Sequence, residues 1–385
     1  MKMASNRKRG QNEGSIYQRA SDGYWVAAVN LGNGRRKVVY DRTYVGALEK
    51  RDALRLAVVQ GMPVQGSRVT VGQLFDAWLD AKRGTIRPKT YERYASLIRR
   101  HTSHIANIKL SKLIVADVAA LYRSRSTHVS PKTIRHLHFV VKAALAWAVR
   151  REMIARNPAA LITAEDLPRM VHREMRVLSV KETRSLMLAA GGTRAEALIT
   201  FALVTGARVG EITGLTWDRL NLETGRAKII HALQYLDGQP VLVEPKTRAA
   251  VRELVLPAFA LTIMRAHRAR QNEQALRLGP AWSNPLNLVF VSETGKPLNR
   301  HAVLRQYFRP LLAKARLPAS IRVHDLRHGA ASLMLAQGIP VPVVSELLGH
   351  ATPAITMAIY SHALPDSQEL VAAQMEAAFA GMQGL

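Results

Sequence analysis

From Val71 to Val149 the apolar residues recur at helical spacing. Val71, Leu74, Phe75, Trp78 and Leu79 fall at i, i+3, i+4, i+7 and i+8, which lines one face of a helix. Tyr91, Tyr94, Leu97 and Ile98 repeat the pattern over 90–100. Asp117 stands where it can cap a third helix bearing Val118, Leu121 and Tyr122. Ser130-Pro131 supplies the N-cap and first residue of a fourth, with Ile134, Leu137, Val141, Leu145 and Val149, ending before Asn157-Pro158. Amphipathic helices with no strand between them bury their apolar faces against one another, so residues 67–163 are expected to form a four-helix domain.

The flanks follow other patterns. Ser15 to Gln18, Tyr24 to Leu31 and Arg36 to Tyr40 read as strands, with Asp22-Gly23 and Gly32-Asn33-Gly34 as turn signals. A helix from Tyr44 to about Gln60 follows, and Gly61 to Gly66 is a linker. Residues 15–62 are therefore expected to be a three-stranded sheet with a helix, carrying Arg35, Arg36 and Lys37 at one turn. Residues 1–14 are a basic tail with Lys2, Arg7, Lys8 and Arg9. Beyond a charged connector, Ser179-Val180-Lys181-Glu182 is a capping box that opens residues 171–385 as a mixed domain. There, Arg226 to Leu233 and Val241 to Val243 are expected to form a hairpin about Asp237-Gly238, with a further strand at Leu288 to Val291. Helices are expected over 195–204, 258–277, 300–315, 325–337, 341–348, 353–361 and 367–381. The fold class is multidomain, mainly α with small β-sheets.

The formal net charge is +27, an excess that calls for a polyanionic partner. No apolar run reaches the roughly 18 residues of a spanning helix. The basic N-terminus lacks the apolar segment of a signal peptide. With no cysteine, disulfides and cysteine-based zinc sites are excluded. DNA, RNA and an anionic membrane all qualify as that partner, the membrane being the weaker option, and a reducing compartment, such as the cytoplasm of a bacterial host beside its nucleoid, is expected; a β-ribbon such as residues 15–40 can enter a major groove.

Three short motifs carry chemistry. They are Thr205-Gly206-Ala207-Arg208-Val209-Gly210-Glu211, then His324-Asp325-Leu326-Arg327-His328-Gly329, then Leu347-Leu348-Gly349-His350 with Tyr360 ten residues on. Breaking a phosphodiester builds negative charge on the non-bridging oxygens, which always-charged guanidinium forks suit. A nucleophile must attack in line, and the leaving oxygen needs a proton. Arg208, Arg327, His324, His350, Tyr360 and one lysine supply these parts without metal or other cofactor. Taken singly, each has a plainer reading, and Tyr360 alone is a core tyrosine beside Ile355 and Ile359. His324 and His328 have the spacing of a zinc pair, but Asp325 stands where a zincin has Glu, and Arg327 repels a cation.

On these motifs the sequence resembles the tyrosine recombinases of the phage-integrase branch, with Ala207 and Gly329 departing from the more usual leucine and serine or threonine. The resemblance implies that residues 67–163 are a core-binding SAM-like domain, 171–385 the catalytic domain and 15–62 an arm-type DNA-binding domain. It implies that Tyr360 forms a 3′-phosphotyrosine, Arg208 and Arg327 clamp the phosphate, His324 assists proton transfer from the tyrosine and His350 bonds the phosphate. Lys246, in Glu244-Pro245-Lys246-Thr247, matches the lysine that protonates the leaving 5′-oxygen, with Lys228 as competitor. Glu211 would orient Arg208. Surrounding cations are expected to favour the phenolate. The implied partners are double-stranded DNA at core-type and arm-type sites, a homotetramer on DNA, a host DNA-bending protein and an excisionase. The helix near Gln368 to Phe379 would dock either on a neighbour or in cis. A type IB topoisomerase-like enzyme and a non-catalytic DNA-binding regulator stay open as alternatives.

Overall fold

The structure is a computed structural model that describes residues 15–30, 36–59, 68–170, 176–245 and 247–360, with 372, 375–377 and 379 beyond these. The basic tail 1–14, Arg35, Lys246 and most of the helix expected near Gln368 to Phe379 lie outside the described residues. Two compact units are present, Met1–His172 and Arg173–Leu385.

In the first unit, β1 (Ser15–Gln18), β2 (Trp25–Asn30) and β3 (Arg36–Asp41) form an antiparallel sheet in the order β1-β2-β3. Gly23, at φ +71°, supplies the left-handed residue of the first turn. Helix α1 (Tyr44–Val59) packs on β2 and β3, with Trp25 edge-on to Tyr44 at 5.0 Å. Arg36 and Lys37 open β3 where the strand was expected, as successive residues that project from opposite faces of the pleat. Arg36 pairs in register with Asn30 and donates to Ser15 Oγ (2.6 Å), while Lys37 pairs with Val29.

The helical domain is built from α2 (Val71–Lys82), α3 (Pro88–His101), the single turn α4 (Ser103–Ala106), α5 (Val115–Ser126) and α6 (Pro131–Arg150). Thr70 and Gln73 form a capping box at the start of α2, and Ser130 caps α6 by accepting from the Thr133 N–H. Asp117 lies inside the first turn of α5 and reaches back to the Ile114 N–H (3.0 Å), so it caps from the third helical position. Leu74, Phe75, Trp78, Leu121, Ile134, Leu137 and Val141 are all buried in one core. Each such side chain contributes roughly 1.5–3 kcal/mol.

The second unit opens with α7 (Val180–Ala190), capped by Ser179 and Glu182, followed by α8 (Glu196–Thr205) and the short α9 (Val209–Thr213). The expected strand from Arg226 to Leu233 is two strands. β4 (Arg226–Ile229) pairs with β7 (Arg252–Val255), and β5 (Ala232–Leu236) pairs with β6 (Gln239–Val243). Asp237 (φ +48°) and Gly238 (φ +79°) both adopt positive φ, as a type I′ hairpin requires. Helix α10 (Ala258–Leu278) follows. Leu288 to Val291 is no strand: it makes isolated bridges at Leu288 and Val291, and the Val289 carbonyl accepts from His267 and Gln271 of α10. The helical run expected over 300–315 is α11 (Arg300–Ala302), a π-helical stretch at Val303–Phe308 and α12 (Arg309–Lys314). Pro310, with no N–H to donate, stands just after the π segment. Helices α13 (Val323–Ala336), α14 (Val341–Leu348) and α15 (Pro353–Tyr360) complete the unit. Among the described residues, no helix is long and apolar enough to cross a membrane.

Candidate active site

The C-terminus of α14 organises the site. A helix end leaves its last carbonyls without intrahelical partners and carries partial negative charge. Here successive carbonyls each accept from a different arginine. Arg252 Nε donates to Leu347 O (2.6 Å), an Arg327 terminal N–H to Leu348 O (2.8 Å), and Arg208 more weakly to Gly349 O (3.4 Å). Gly349 ends the helix at φ +66°, and a Cβ there would sit 3.0 Å from the Arg252 guanidinium. This is the physical content of the Leu-Leu-Gly-His motif: the glycine stops α14 and leaves room for Arg252, which takes the Leu347 carbonyl.

Thr205-Gly206-Ala207-Arg208 closes the other side. Gly206 caps α8 at φ +60°, where an added Cβ would lie 2.7 Å from Leu348 Cδ2. The Gly206 carbonyl accepts from Arg327 (2.9 Å), so Arg327 bridges the ends of α8 and α14. Arg327 as a whole residue is only 3% exposed. Burial first, and then the nearby Arg208, pull the Arg327 pKa down to about 10, still charged at neutral pH. Arg208 is the accessible arginine, its side chain 41% exposed.

Glu211 joins these groups. Its carboxylate accepts from the Arg208 backbone N–H (2.9 Å) and guanidinium (2.8 Å), and pairs with Arg252 (2.9 Å). Burial raises the Glu211 pKa, but Arg252, Arg208 and their hydrogen bonds outweigh it and hold the carboxyl below the ordinary glutamate value.

Tyr360, the last residue of α15, is 1% exposed, and its hydroxyl is 2.7 Å from His328 Nδ1. Burial raises the tyrosine's pKa, and the charges of Arg327 and Arg208 offset this only in part. The expected preference for the phenolate is thus not met without DNA, because desolvation outweighs the cations. His324 is exposed and meets His328 edge-to-face, with ring centres 4.8 Å apart. Burial and the neighbouring Arg327 lower the His324 pKa. Burial, then His324, brings His328 down to about 4. His350 Nδ1 pairs with the fully buried Thr356 hydroxyl (2.8 Å). Burial, then Arg327 and Arg208, bring its pKa down to about 4. Both His328 and His350 are therefore neutral at physiological pH, each with one ring nitrogen engaged.

Of the residues singled out from sequence, Arg208, Glu211, His324, Arg327, His350 and Tyr360 come together in the second unit. Lys246 falls outside the described residues, between β6 and β7. Its competitor Lys228 lies on β4 opposite Glu253, 3.8 Å from that carboxylate. Sequence reasoning gave the contact with the tyrosine to His324, whereas the structure puts His328 on the hydroxyl. It also missed Arg252. In β7, Arg252-Glu253-Leu254-Val255 alternates buried and exposed, which sets Arg252 on the same inward face as Leu254, but a buried arginine and an exposed valine run against the apolar alternation that marks a strand in sequence.

Residues 176–366 match the model of the phage integrase family, and residues 70–126 that of the phage integrase N-terminal SAM-like domain. A tyrosine recombinase XerC-like protein of Caldanaerobacter subterraneus subsp. tengcongensis is 27% identical over 369 residues, 89% of this chain and 93% of that one. An integrase of Streptomyces ambofaciens is 26% identical over 382 residues, 93% of this chain and 94% of its own. Among solved structures, the Tn1549 transposon integrase in complex with transposon right-end DNA shares the fold at a TM-score of 0.65, with 21% identity over 80% of this chain and 99% of that chain. A lambda integrase dimer bound to a core site does so at 0.54, with 17% identity over 92% of this chain and 96% of that chain. The chain belongs to the phage integrase family, the tyrosine-type site-specific recombinases.

Proposed function

We propose that this chain recombines DNA by cutting and rejoining it through a 3′-phosphotyrosine on Tyr360, so as to integrate and excise a mobile element. The observation that carries the reading is the convergence on the end of α14. Arg208, Arg327 and His350, far apart in sequence, meet there beside a tyrosine that feels both guanidinium charges. A scissile phosphate seated here would have its non-bridging oxygens held by Arg208 and Arg327, with a further hydrogen bond from His350. Because Glu211, Gly206 O and Leu348 O already fix the guanidiniums, little reorganisation is needed as charge develops. Tyr360 attacks phosphorus, the 5′-oxygen leaves, and Lys246 protonates it. The phosphotyrosine keeps a phosphodiester's worth of bond energy, so rejoining runs by the reverse path.

The net charge of +27 supports DNA as substrate, as do the similar integrases whose structures were solved with DNA. Lambda integrase has been seen as a tetramer on a Holliday junction, which supports a homotetramer working on paired core sites. In this reading the N-terminal sheet reads arm-type sites, Arg36 on one of its faces, and a host bending protein and an excisionase set the direction. The test is covalent capture. A nicked duplex spanning the recombination site, defined by sequencing recombinant junctions, is incubated with the protein. Wild type is expected to form a protein–DNA adduct, and Tyr360→Phe none while still binding the duplex. An adduct with the phenylalanine variant, or none with wild type, refutes the assignment.

A further inference from the structure

We infer that His328 is the group that takes the proton from the nucleophile. This rests on Tyr360 being the nucleophile and adds the base which that reading leaves unnamed. In the free protein Tyr360 is a phenol rather than a phenolate, because burial prevails over Arg208 and Arg327. A bound phosphate diester brings negative charge to those same arginines and weakens their pull on the phenol further. Attack therefore needs a base in contact with the hydroxyl, within about 2.6–3.2 Å. His328 Nδ1 meets that requirement at 2.7 Å. His324 is exposed and touches the His328 ring rather than the hydroxyl.

The placement also fits. Arg327 and His328 are consecutive on α13, so the residue proposed to hold the phosphate and the one holding the nucleophile belong to the same helical turn. The charged and titratable groups around His328 are His324, Asp325 and Arg327 on its own helix, Arg322 at that helix's N-cap, His350 after α14 and Tyr360 on α15. The cations among them, together with burial, keep the imidazole neutral and able to accept.

The step balances. An oxygen lone pair of Tyr360 forms the P–O bond as the O–H proton passes to His328 Nδ1. The P–O5′ bond breaks, and the 5′-oxygen leaves with its electron pair and gains a proton from the leaving-group acid. In rejoining, the 5′-hydroxyl attacks phosphorus and returns its proton to the leaving-group acid, the P–O bond to Tyr360 breaks, and the tyrosine oxygen recovers the proton from His328.

Single-turnover cleavage of the nicked duplex, with duplex affinity measured alongside, tests this in His328→Ala and His328→Asn. Asparagine offers an amide oxygen near the Nδ1 position but cannot take up a proton, so it separates positioning from base catalysis. Both variants are expected to bind the duplex like wild type and to cleave about 10²–10⁴-fold more slowly. Added imidazole is expected to restore part of the rate to His328→Ala and none to Tyr360→Phe. A wild-type rate in either variant, or a loss in His328→Ala that imidazole does not relieve, overturns the inference. Failure of wild type itself to form an adduct would instead refute Tyr360 as nucleophile.

Discussion

The helical domain of residues 70–162 and the site at the end of α14 are both buried, but they are held together in different ways. In the helical domain, many interchangeable apolar side chains fill one core, and no single one fixes the geometry. At the site, charged groups are buried where each has a specific partner: Arg252 with Glu211, Arg327 with two backbone carbonyls. The first arrangement depends on volume and the second on donor and acceptor counts. Substitutions that preserve side-chain character should therefore be mild in the bundle and severe in the site.

The largest effect is expected from Glu211→Gln. It leaves Arg252 buried without its counter-charge, a change that costs about 3–5 kcal/mol. It also frees the Arg208 fork, so cleavage of the nicked duplex should fall about 10²-fold. The pH dependence carries the sign. The folded Glu211 carboxyl lies below its ordinary value, so its contribution is present above that value and is lost as pH falls through the folded one. Urea unfolding should show a wide gap between wild type and the variant at neutral pH, closing in acid. A gap that does not change with pH would assign the loss to shape rather than charge.

Arg252→Lys comes next. An ammonium can keep the ion pair but cannot also reach Leu347 O and Ala250 O as the fork does. The expected destabilisation is about 1.5–3 kcal/mol, with slower cleavage. Unchanged stability would show that the site tolerates exchange of like for like, and the contrast with the helical domain would fail. The smallest effect is expected from Leu137→Met at the centre of that domain. Leu137 is fully buried, yet the swap conserves volume and should cost under about 1.5 kcal/mol by the same unfolding measurement. A larger loss would mean that this core is as exacting as the site.

The same difference decided how much could be read from the sequence. Helical spacing and caps are local, so Ser130-Pro131 and the Val71-to-Leu79 stripe marked the bundle helices directly. The site motifs were legible as residue types in order. Their mutual contacts were not, because they join segments far apart along the chain. The pairing of β4 with β7 was hidden for this reason: the 22 residues between them include a complete hairpin. Arg252, standing in β7, was overlooked along with its strand. The choice between His324 and His328 could not be made from spacing either. Both lie on one helix, and only the position of α15 brings the tyrosine hydroxyl to the second.

The seating of three arginines on the carbonyls of residues 347–349 also bears on the order in which the protein is made. Arg208, Arg252 and Arg327 all precede those carbonyls in synthesis, and Tyr360 follows them. A chain whose translation stops between Arg327 and Leu347 holds guanidiniums that lack these backbone acceptors and lacks Tyr360, the proposed nucleophile. It still carries every lysine and arginine of the chain, the last being Arg327. On the proposed mechanism, premature termination between Arg327 and Leu347 therefore yields a product that cannot cut, because strand scission waits until Tyr360 has been added.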